Sequence, residues 1–84
     1  MNELFAMCRL SERSRWSFRE DKLLYQRVLL FGASNYKLLA LEFEGKTEKQ
    51  IYFRIRYLKS IYIQKKNVDK VRNMYKEWFA YFEQ

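Results

Sequence analysis

The stretch Lys46–Lys66, KTEKQIYFRIRYLKSIYIQKK, decides how the rest of the chain is read. Ile51, Ile55, Leu58 and Tyr62 recur at spacings of three and four, the pattern of a helix with one apolar stripe. Thr47 stands where an N-cap belongs. The segment carries seven Lys and Arg against the single Glu48, a net +6, while the whole 84-residue chain carries +7. Charge spread evenly bears on solubility. Charge gathered on one helix points to a partner, and a polyanion fits it best.

Upstream of this helix the chain predicts two shorter ones. Ser17 is followed three residues later by Glu20, a capping box, and Asp21 adds a second acid to the first turn, where the helix dipole favours it. Leu24, Val28 and Phe31 continue at helical spacing until Gly32 stops the helix. Ser34 or Asn35 caps a second helix whose buried side is Tyr36, Leu39, Ala40 and Phe43, and which Gly45 ends. Downstream, Asn67 interrupts the pattern and caps a fourth helix. There Val68, Val71, Tyr75, Trp78, Phe79 and Phe82 repeat at three and four. Residues 1–15 read as a short helix or an arm. Either Leu4 and Phe5 dock on the core, or Arg9, Arg13 and Arg15 touch a nucleic-acid backbone.

Composition narrows the function classes. The chain suits one small domain, the absence of Pro and the presence of only two Gly speak against long linkers and an all-β architecture, and the helical spacings give an all-α fold. One cysteine, Cys8, and no histidine leave no zinc set and no histidine-based catalysis. No Gly-rich phosphate loop is present. No catalytic residue, metal, cofactor or small-molecule substrate is therefore expected. No apolar run is long enough to span a membrane, and residues 1–10 lack the charge order of a signal peptide.

Residues from Trp16 to Leu58 resemble a Myb/SANT repeat, a family of three helices with three spaced core aromatics, usually tryptophan. Trp16 stands first, within WSFREDKLL; Tyr36 follows within GASNYKLLA after 19 intervening residues; Ile55 takes the third place after 18 more. Glu20, Asp21, Leu24, Gly32, Ala40, Gly45 and Gln50 also match the family pattern. Two of the three tryptophans are replaced, which makes this a divergent member. The resemblance implies a three-helix, homeodomain-like helix-turn-helix bundle, here with an added C-terminal amphipathic helix. The chain divides into an arm or short helix at 1–15, the Myb-like domain at 16–66 and the added helix at 67–84.

The resemblance further implies that the third helix reads the major groove of double-stranded DNA. Carried over residue by residue, its base contacts are Lys49, Tyr52, Phe53 and Arg56. Phe53 departs from the polar residues usual at that position. Lys46, Lys59, Lys65, Lys66 and Arg15 are expected on phosphates, positioning rather than specifying. Arg54 is expected to pair with Glu20 of the first helix. Tyr75, Trp78, Phe79 and Phe82 either fold back onto the core or form a surface for a second copy or a transcription or chromatin partner. The implied function is nuclear DNA binding in transcription or chromatin regulation. The alternative is a SANT-type protein-interaction module, against which the basic third helix speaks for histone tails, themselves basic.

Overall fold

The computed structural model describes residues 16–84, and among these all regular structure is helical. Five helices follow in order: α1 (Phe18–Phe31), α2 (Tyr36–Leu41), α3 (Glu48–Lys65), α4 (Asp69–Met74) and α5 (Lys76–Phe82). The expected capping box opens α1, and Thr47, expected as the cap of α3, forms a second box with Gln50. Ser17 N donates to Glu20 Oε1 at 2.9 Å while Glu20 N donates to Ser17 Oγ at 3.1 Å. Thr47 N donates to Gln50 Oε1 at 2.7 Å and Gln50 N to Thr47 Oγ1 at 3.2 Å. Each box satisfies two amides that a helix start otherwise leaves without partners. Gly32 closes α1 at φ 91°, its amide donating to Val28 O at 2.8 Å.

The core is one cluster: Leu24 and Val28 from α1, Leu39 from α2, Phe43 just after it, Ile51 and Leu58 from α3, and Trp78 and Phe79 from α5. Trp16, Tyr36 and Ile55, the three positions that carry the resemblance, are half-buried against it. Trp16 packs on Phe43 with ring centroids 5.3 Å apart. α2 is shorter than expected. It ends at Leu41, and Gly45 instead serves the turn into α3 at φ 78°.

The C-terminal part differs from the single amphipathic helix expected. It starts after Val68, with no side-chain cap from Asn67, and breaks in two at Tyr75, where φ −117° and ψ 32° leave the helical region. No Gly or Pro marks the break; tertiary contacts hold it. The Tyr75 ring sits against Phe18 (5.9 Å) and Phe79 (6.4 Å), and Trp78 Nε1 donates to Asp21 O at 2.9 Å. Tyr62 of α3 meets Phe79 at 5.3 Å and Phe82 at 5.9 Å. Trp78 and Phe79 are thus buried inside the molecule, and of the four aromatic residues only Tyr75 and Phe82 keep partial exposure.

Candidate nucleic-acid interface

Asp21 is the joint that orients α3. Its side chain lies on the core side of α1 in register with Leu24 and Val28, and the residue is 1% exposed. Arg54 grips it with two bonds, Nε to Oδ1 at 2.8 Å and Nη2 to Oδ2 at 2.6 Å. This corrects the expected Arg54–Glu20 pair. Glu20 is committed to its capping box and reaches instead towards Lys46 (3.7 Å), whereas the next residue faces inward. Burial works against the charge on Arg54. The hydrogen bond and charge of Asp21 outweigh it, so the guanidinium pKa is raised above its usual value. The same cation rests on the rings of Tyr57 (4.7 Å) and Trp16 (5.9 Å).

With α3 pinned this way, Lys49, Tyr52, Phe53 and Arg56 fall at i, i+3, i+4 and i+7, one face of the helix, turned away from Ile51 and Leu58 in the core. Lys49 and Arg56 are exposed, Phe53 is 39% exposed and Tyr52 is half-buried. The four residues are brought together as a surface. The Tyr52 ring is held edge-on by Tyr36 of α2 at 5.4 Å and by Phe53 at 5.3 Å. Its hydroxyl accepts from Arg56 Nη1 at 2.7 Å. Arg56, Lys59, Ser60 and Ile63 line a shallow depression on the next turn.

The cations divide into two groups. Lys59, Lys65 and Lys66 are exposed, as are Lys49 and Arg56. Lys46 is not available in the same way: its side chain is 6% exposed, with the ammonium 5.0 Å from the Trp16 ring centroid and beside Glu20. It belongs to the packing of Trp16 rather than to the outer face. Arg15 lies outside the described residues. Sequence reasoning missed the Asp21–Arg54–Trp78 joint, because nothing in spacing separates Asp21 from Glu20 as the acid that turns inward. It also missed the Tyr52–Arg56 bond, for which the i, i+4 spacing was an available signal.

A family model described as Myb-like DNA-binding domain matches residues 13–59. The chain belongs to the Myb-like DNA-binding family. DNA binding in general goes with that membership, and Myb-like DNA-binding domains are non-enzymatic and typically nuclear. In this Myb-like chain the match ends within α3, so the last turns of α3 and the whole of α4 and α5 lie outside it. No curated protein and no solved structure matches. No helix among the described residues is long and apolar enough to cross a membrane.

Proposed function

We propose that this Myb-like domain binds double-stranded DNA by laying α3 in the major groove, in the service of transcription or chromatin regulation. One observation carries the reading: the outer face of α3 stays uncovered and cationic, while α1, α2 and α5 all contribute to a core on its other side. A helix about 10–12 Å across, side chains included, matches a major groove about 12 Å wide. Lys49 and Arg56 donate to base edges, Arg56 being suited to guanine O6 and N7, and Phe53 lies against a thymine methyl group. Lys59, Lys65, Lys66 and Arg15 take phosphates. The 18-residue α3 is about 27 Å long, enough for its first turns to reach bases while Lys65 and Lys66 meet the backbone at its far end.

The test is a titration of the full chain against duplex DNA across salt. The four cations placed on phosphates, Lys59, Lys65, Lys66 and Arg15, give a slope of log K against log salt of about −3 to −4. The double charge reversal Lys49→Glu with Arg56→Glu abolishes binding, whereas Lys46→Met, which touches no DNA in this reading, changes affinity less than Lys59→Met. A slope near zero would remove the electrostatic mechanism and leave protein interaction as the function of this face.

A further inference from the structure

Arg56 and Arg54 stand two residues apart on α3 and hold their guanidinium groups in related ways. Arg54 presents its Nε and Nη2 edge to the two oxygens of Asp21 at 2.8 and 2.6 Å. Arg56 uses the opposite corner, Nη1, to hold the Tyr52 hydroxyl at 2.7 Å. Among the described residues, no Asp, Glu or backbone oxygen takes a bond from its Nε and Nη2 edge. That edge is the one that matches two neighbouring acceptors, as the Arg54 pair shows within the same helix. Guanine presents such a pair, O6 and N7, in the major groove.

The tyrosine that holds Arg56 is itself held. Its ring is wedged edge-on between Tyr36 of α2 and Phe53, at 5.4 and 5.3 Å, so its hydroxyl is fixed relative to the core and not merely to α3. An exposed arginine ordinarily gives up rotamer entropy when it is immobilised on a partner. A side chain already restrained by one bond and lying over a ring, 5.5 Å from the Tyr52 centroid, gives up less.

We propose that Tyr52 is a positioning residue rather than a base contact: it fixes Arg56 so that the Nε and Nη2 edge reads one guanine. This rests on the DNA-binding reading above and adds the base that is read and the residue that makes the reading sharp. Because Tyr36 is half-buried in the core cluster, the register of that arginine is set by the packing of α2 on α3.

The experiment uses the full chain. Duplexes are selected by the wild-type protein from a randomised library, and every single-base variant of the selected duplex is then measured. The wild type prefers guanine at one position. Tyr52→Phe keeps the ring and its edge contacts but removes the acceptor, and it lowers that preference about five- to tenfold, the weight of one ordinary hydrogen bond, because the Arg56–Tyr52 bond is open to water. The salt slope and the preferences at other positions stay unchanged, and thermal unfolding stays within a few degrees of wild type. Arg56→Lys removes the same preference, and adding Tyr52→Phe to it costs nothing more. Retention of the full guanine preference in Tyr52→Phe, with its loss in Arg56→Lys, overturns the positioning role and leaves the DNA reading standing. A uniform loss of affinity across all duplexes makes Tyr52 a backbone contact and overturns it equally. Absence of any duplex binding by the wild type overturns the underlying reading as well.

Discussion

Replacing Asp21 by Asn removes one charge from the joint between α1 and α3 and leaves its size unchanged. In the wild type a carboxylate with a 2% exposed side chain takes two charge-assisted bonds from Arg54, whose side chain is 17% exposed. The Asn amide retains one acceptor, so one such bond is lost, worth about 1.5–3 kcal/mol. An acid in the first turn of α1 is lost too, a further ~0.3–1 kcal/mol from the helix dipole. The rings of Tyr57 and Trp16 still face the guanidinium, and its partial exposure lets water reach it, so the cost stays below that of breaking a fully buried pair. The expected loss is about 2–4 kcal/mol, which for a domain of this size lowers Tm by roughly 10–25 °C. Circular dichroism at 222 nm during thermal and urea unfolding reads it. Arg54→Met alone strands a buried carboxylate and costs at least as much, whereas the double variant Asp21→Asn with Arg54→Met loses much less than the sum of the two. A Tm for Asp21→Asn within about 3 °C of wild type, or strict additivity in the double variant, would show that the pair does not hold α3 in place.

Two further outcomes follow from the C-terminal helices. Phe79→Ala opens a hole where Tyr62 and Tyr75 meet the core and costs about 3–5 kcal/mol in urea unfolding, a loss that a helix merely lying on the surface would not produce. The Tyr75 phenol titrates above its usual value of 10.0, first because of burial and then because of the Asp21 charge, with Arg54 opposing. Its unfolded form therefore loses its proton at lower pH than its folded form. Stability from this group is complete below pH ~10 and falls as pH rises through the higher folded value. Tyr75→Phe makes alkaline unfolding less steep, read as Tm against pH between 9 and 11; an unchanged profile contradicts the burial of the hydroxyl.

Much of the fold was legible because it is written in local rules. Ser17 with Glu20 and Thr47 with Gln50 start their helices through contacts three residues apart, and Gly32 stops one through its own backbone freedom. The apolar spacing of Leu24, Val28, Leu39, Ile51 and Leu58 selects the face each helix buries, and these residues are in the core. The outer face of α3 is what that stripe leaves over, and Lys49, Phe53 and Arg56, the positions carried over from the family resemblance, are exposed there. Family membership rests on the same local pattern.

The contacts between residues far apart in sequence were decided only in three dimensions. Glu20 and Asp21 are both acids in the first turn of α1, and the rotation of that helix on the core sends Asp21 to Arg54 and leaves Glu20 for the cap and Lys46. That same rotation withdraws Lys46 and Arg54 from the outer face, so the net +6 of the segment overstates the charge a polyanion meets. The break at Tyr75 has no Gly or Pro behind it; it exists because Trp78 reaches the Asp21 carbonyl while Phe79 fills the space against Tyr62. Sequence alone determined where α1 and α3 start and which helix carries the charge, since those depend on neighbours within one or two turns. Tertiary structure decided which charges remain for a partner, because ion pairing and ring packing depend on how the helices are rotated against one another.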